Sequence, residues 1–418
     1  MLELCRGRNP GTAPVSRLRR RNCPAGGYVS RVITDEQRRA RLGVRHGLAT
    51  RVGSALEAAR AVVCLHATEP ATPYLSVWAR TGLGRAAFDQ AMYTDRELVK
   101  QLAMRRTLFV FPREVMPAVW GSASARVADQ IGPRLAREIE RCGLAEDGGA
   151  WLNRQDAAVR SALRQQPMTT ADLRAAVPEL DQRMVLSPGK PYEAEVAVAN
   201  QAITVLAATG RIQRGANRGT WRSSRPEWTT DDDWLGGPAT PLHPEEGYRH
   251  LIGAWLRQFG PGTEDDIVWW LGATKSVVRR ALADLRAVEV QTGVGPAFVL
   301  PDDVVDPSDD LPEPWAALLP VLDATTMGWK HRDWYLGDHA GQLFDGNGNA
   351  GTTAWWNGRV VGGWHQDPDG VVVVDLLEDV GADATAQLTD RAVELTDWLA
   401  GEIVGTLYPS PLSRAHRS

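Results

Sequence analysis

The residues best placed to do chemistry in this chain are His66, Thr68 and Glu69, an imidazole, a hydroxyl and a carboxylate held within four positions. Such a set can hold or deprotonate a water through a ring nitrogen, add a second acceptor through the hydroxyl, and offset a developing positive charge with the carboxylate. The same residues also suit a helix-terminal core histidine with a loop-capping hydroxyl, and spacing alone does not separate the two readings. Their positioning is legible. Ser54 to Leu65 carries a Ser N-cap, Glu57 three residues on, and apolar residues at helical spacing, which predicts a core helix leading into the loop. Pro70 and Pro73 bias the residues before them toward extended backbone, so His66 and Thr68 are expected on one face.

Basic side chains form the second group of candidates. Arg105 and Arg106 directly precede an apolar strand, Thr107 to Phe111. Arg214, Arg218 and Arg222 follow one predicted helix-to-turn junction, and Lys275 and Arg279, four apart, share a face of another helix. Lys330 and Arg332 lie in Gly328-Trp329-Lys330-His331-Arg332-Asp333-Trp334-Tyr335, where bases alternate with aromatics as in nucleic-acid stacking platforms. Only Lys100, Lys190, Lys275 and Lys330 are lysines, so nearly all positive charge is arginine. That composition suits bidentate phosphate and base recognition, and it equally suits codon bias in a high-GC genome.

Composition excludes several classes of function. No apolar run approaches the roughly 20 residues a membrane helix needs. Cys5, Cys23, Cys64 and Cys142 are scattered, with neither a C-x-x-C pair nor a histidine at zinc spacing, so no disulfide framework, no metal site and a reducing cytoplasm are expected. Asp345 to Gly351 superficially suggests a calcium loop, but Ala350 stands where the sharp-turn glycine belongs and Trp356 where the bidentate glutamate belongs. No P-loop or dinucleotide fingerprint is present, and no cofactor is expected. A net charge of −4 hides segregation between acidic linkers and basic segments.

From the loop outward the chain resembles a known family. The helix entering His66-Ala67-Thr68, then Glu69-Pro70-Ala71 and Leu75-Ser76-Val77-Trp78-Ala79-Arg80, is similar to the winged-helix DNA glycosylases of the AlkZ and YcaQ type. So are Arg105 to Val110, Leu319-Pro320-Val321-Leu322-Asp323, and Asn357 to Trp364; the resemblance runs over roughly residues 32 to 405. It implies a monofunctional glycosylase that excises N7-alkylated purines or genotoxin adducts from double-stranded DNA. The partner would be damaged duplex, met by a cytoplasmic, nucleoid-associated monomer. His66, Thr68 and Glu69 would stand at the catalytic loop, with Arg105, Arg106, Arg214, Arg218, Arg222, Lys275, Arg279, Lys330 and Arg332 facing DNA. Family loops read Gln-apolar-Gln or Gln-apolar-Asp where this chain has His-Ala-Thr, which leaves a non-catalytic damage sensor or transcriptional regulator of the same fold as the alternative.

The organisation expected is α+β: tandem winged helix-turn-helix units forming a curved DNA-binding scaffold, with a C-terminal antiparallel β-meander and covering helix. Residues 1–31, with seven arginines against Glu3, read as a disordered basic extension, and translation is expected to begin near Val29 or Val32. Units follow at 32–150, 151–230 and 245–300, with Phe88 to Met104 and Glu193 to Thr209 expected as helices. In the last region, 315–407, Asn357-Gly358 and Asp369-Gly370 predict hairpin turns and Ala384 to Val404 a helix.

Overall fold

The computed structural model describes residues 31–186, 188–191, 193–306 and 312–416. The expectations for the basic extension and the translation start, and Cys5 and Cys23, lie outside the described residues. The fold is α+β, and its sheets are antiparallel.

In the first region, the Ser54 hydroxyl caps the helix Ala55–Ala61 by accepting from the Glu57 N–H. That helix stops four residues earlier than its pattern suggests. Val63 takes a left-handed backbone (φ 64°), and Leu65–His66 becomes a short strand instead. The strand gains a partner the local sequence does not contain, since Leu65 pairs with Val110 and His66 with Phe109 on the strand Thr107–Pro112. On the other side of Thr107–Pro112 lies Leu98–Ala103, giving a three-stranded sheet.

The expected helix over Phe88 to Met104 is therefore corrected. A helix covers Arg85–Asp89 and runs on as a π-helical turn to Thr94; Arg96 then turns left-handed (φ 56°) and the chain enters the strand. The hydrogen bonds of a facing strand outweigh the weak helical periodicity there.

The second region has helices Gly148–Leu163, Thr170–Ala176 and Ala199–Ala208, closed by the hairpin Ile212–Asn217 with Pro226–Thr230. The helix expected from Glu193 is also shorter than its pattern: Ala194–Ala197 pairs with Arg183–Leu186 as a hairpin, and helix begins only at Ala199. This region has its own core, built on Trp151, Leu163, Leu173, Ile203 and Trp228.

The third region follows its sequence closely. Thr263 makes a capping box with Asp266 for the helix Glu264–Leu271, Gly272 ends it left-handed, and Thr274 caps Lys275–Asp284. With Pro244–Phe259 before them and the hairpin Val288–Thr292 and Gly295–Val299 after, these elements form a compact unit to which Val32 adds a parallel bridge at Gln291.

The C-terminal sheet contains the three expected strands, Thr353–Trp356, Arg359–Gln366 and Val372–Leu376, plus Ala316–Leu319 at one edge, and the helix Gly381–Leu399 covers it. Asn357 and Gly358, both at positive φ, make the expected hairpin turn. One continuous core joins the first region, the third region and this sheet. The catalytic-type loop is thus held by all three.

Candidate active site

His66 is only 6 % exposed. The Ala67 N–H donates to the Leu108 carbonyl (2.9 Å) and the Phe109 ring meets the imidazole edge-on at 5.2 Å, so backbone and ring are both fixed. Burial first, and the nearby Arg105 charge second, push His66 down to about 3, against an opposing pull from Asp323. The imidazole is neutral at neutral pH. Its Nδ1 faces the Thr68 N–H at 3.5 Å, a long contact that favours the tautomer protonated at Nε2. Among the described residues Nε2 makes no hydrogen bond, and neither does the half-buried Thr68 hydroxyl. A ring of such low basicity holds a water by donating to it and is a poor proton acceptor.

Arg105 and Arg106 form the tip of the hairpin between Leu98–Ala103 and Thr107–Pro112, and both adopt left-handed backbone (φ 54° and 59°). For non-glycine residues that conformation costs roughly 1–2 kcal/mol each. The turn aims the two side chains apart. The Arg105 guanidinium lies 4.1 Å from the Trp269 ring, and Arg332 lies 4.9 Å from the same ring. Burial, followed by the charge of Arg332, lowers Arg105 to about 10. Neither arginine has a carboxylate partner among the described residues, and the Arg105 Nε is buried without a hydrogen bond. Arg105 and Arg332 thus share one aromatic platform without an ion pair among the described residues. Arg106 is exposed and lines a separate cleft of about 470 Å³ with Ile131, Arg134 and Met184.

Behind the loop lies a buried ion pair that sequence reasoning missed. Asp323 and Arg80, both fully buried, meet through two bonds of 2.8 and 2.9 Å; Ser76 donates to the same carboxylate at 2.6 Å and the Thr325 N–H at 2.9 Å. Burial alone would raise the Asp323 carboxyl, yet Arg80 and the hydrogen bonds hold it below the ordinary range. Thr325 also binds His46, whose ring burial pushes down to about 3. The four-residue spacing of Ser76 and Arg80 signals a shared helix face, but nothing local shows that Asp323 lies opposite. Trp269, the shared platform, was likewise not singled out.

A family model for AlkZ-like DNA glycosylases matches residues 59–398. The chain belongs to this family. Its fold is similar to that of Streptomyces sahachiroi DNA glycosylase AlkZ, with a TM-score of 0.68 and 20% identity over 87% of this chain and 96% of that one. A search of curated proteins found no match.

Within this AlkZ-like chain the remaining candidates do not converge on the loop. The Glu69 carboxylate does not face His66: its Oε1 accepts from the Thr406 hydroxyl (2.7 Å) and the Leu407 N–H (2.6 Å), because the bend at Thr68–Pro70 turns it toward the C-terminal strap. Lys275 and Lys330 both pair with Asp265 (2.8 and 3.2 Å), and Arg279 pairs with Glu264 (2.6 Å). The acidic first turn of Glu264–Leu271 therefore neutralises the basic face expected to track a backbone. Arg218 is paired with Glu227 and Arg222 with Glu402, while Arg214 is stacked on Trp228 at 4.4 Å and withdrawn from solvent. Of the basic set, Arg105, Arg106, Arg214 and Arg332 form no ion pair among the described residues, and Arg214 is packed against Trp228.

Lys100 is in the same sheet as His66, its ammonium lowered to about 8 by burial, but it pairs with Val110 in the row next to His66–Phe109 and so points to the opposite face. The described residues include no helix long and apolar enough to cross a membrane.

Proposed function

We propose that this chain, as a monomer whose tandem winged-helix units curve along the duplex, hydrolyses the N-glycosidic bond of N7-alkylated purines in double-stranded DNA. The observation that carries the reading is a neutral, buried His66 with Nε2 uncommitted, set beside two guanidiniums without counter-charges.

N7-alkylation leaves the purine cationic, so it departs with little assistance and the barrier lies in the positive charge that builds on the sugar. A protonated imidazole would oppose that charge. Burial and Arg105 keep His66 neutral, so it can orient the attacking water by donating from Nε2 while the Thr68 hydroxyl supplies an acceptor. Arg105 and Arg332 are suited to grip the phosphate beside the lesion, which fixes the sugar relative to the water. In this reading Glu69 anchors the C-terminal strap. Lys100 faces the other way, so base release proceeds with water as the nucleophile and no Schiff base forms.

The test uses duplex carrying one N7-methylguanine, scored for abasic sites by alkaline cleavage, with binding followed by anisotropy. Wild type should release the base; His66→Ala should bind equally and release it about 100-fold or more slowly, the scale of one lost transition-state contact. Binding without release from N7-methylguanine or a bulkier N7 adduct would instead assign the chain to the sensor reading.

A further inference from the structure

On the C-terminal sheet, two histidines and a carboxylate that the proposed chemistry does not use converge. His365 and Asp375 sit on neighbouring strands; His365 pairs with Val373, which places Asp375 on its diagonal on the same face. His416 reaches them from the short helix Pro411–Ala415. That helix docks closely because Gly363 has no side chain: a Cβ there would come within 2.7 Å of Leu412. His365 Nδ1 lies 2.8 Å and His416 Nε2 3.2 Å from the same Asp375 Oδ2, and the two rings stack with centroids 3.7 Å apart, 8° from parallel. All three ligand atoms fall within 4.8 Å of one another.

We propose that His365, Asp375 and His416 bind one divalent cation of the zinc class. A tetrahedral ion held by bonds of about 2.0–2.2 Å puts its ligand atoms roughly 3.3–3.6 Å apart, so the trio already lies near coordination distance, and closing on a metal requires the two stacked rings to splay until both lone pairs meet the ion. Two imidazoles with one carboxylate select zinc, cobalt or nickel over magnesium and calcium, which prefer all-oxygen sets. Both histidines also line a cleft of about 320 Å³ that contains Glu69, Thr406 and Ser413, so the remaining coordination position can be filled by water.

The ion would have a defined mechanical effect. The strap running to His416 is tied to the catalytic-type loop where Thr406 and Leu407 bind Glu69, and a metal would tie its far end to the sheet. Ligands distant in sequence, at 365, 375 and 416, make this site invisible to motif reading, which expected no metal.

The experiment uses the untagged full-length chain after chelator treatment, titrated with Zn²⁺ by calorimetry and with Co²⁺ by visible absorption. One equivalent should bind, with the intense d–d bands of a low-coordinate cobalt site, and Zn²⁺ should raise the melting temperature. His416→Ala, at an exposed position, should weaken binding at least tenfold and remove the thermal shift, as should Asp375→Asn. If wild type binds no Zn²⁺ at micromolar concentrations, or if His365→Ala/His416→Ala binds it as wild type does, the proposal is wrong and the trio is an ion-pair cluster only.

Discussion

The neutral state of His66 has a consequence that a pH series measures directly. With its pKa held at about 3, about 99% of the imidazole is still neutral at pH 5; an ordinary histidine near 6.5 would be only about 3% neutral there. Single-turnover release of N7-methylguanine should thus be flat between pH 8 and 5, where a histidine of ordinary basicity acting as the base would lose about 30-fold. Stability should change over the same interval, and its sign follows from proton counting. The unfolded chain protonates His66 below about 6.5 and the native chain only below about 3, so between these values the unfolded state holds more protons and stability falls with acidification. At pH 5 the loss is about 2 kcal/mol for His66, and His46, held down to about 3 in the same way, adds a similar amount. Urea unfolding at pH 7, 6 and 5 should show this loss, and His66→Gln should remove about half of it. A rate profile with a limb near pH 6.5 that vanishes in His66→Gln would refute the reasoning, because it would mean that His66 titrates in the folded enzyme.

Three further outcomes follow from the geometry. Asp323→Asn leaves Arg80 charged and fully buried without its counter-ion, so chemical denaturation should show a loss of about 3–5 kcal/mol. Arg106→Gly relieves a left-handed arginine (φ 59°) and should raise stability by roughly 1 kcal/mol, while DNA affinity falls and the slope of log K against log salt flattens by about one unit. Trp269→Ala removes the ring under both Arg105 and Arg332; with each cation–π contact worth about 0.5–2 kcal/mol, base release and duplex affinity should fall together without loss of the fold, as circular dichroism would show.

Local physics alone determined much of this protein. The caps at Ser54, Thr263 and Thr274, the left-handed Gly272, and the turn Asn357-Gly358 stand where their residue types place them, because capping and turn formation involve only atoms a few residues apart. The third region and the C-terminal meander were legible for that reason. His66 and Thr68 could be singled out, and the motifs around Arg80 and Asp323 marked the family.

Tertiary structure decided the rest. Leu65–His66, Leu98–Ala103 and Ala194–Ala197 are strands because a partner strand completes their backbone hydrogen bonds, and that partner is brought by the fold. Whether a basic side chain is available was equally non-local. Lys275, Arg279 and Lys330 are compensated by Glu264 and Asp265, whereas Arg105 and Arg332 both lie against Trp269 and form no ion pair among the described residues. Residue type tells which groups carry charge; only their packed neighbours determine how much of that charge remains to be answered by a ligand, because desolvation and Coulomb energy depend on distance in space.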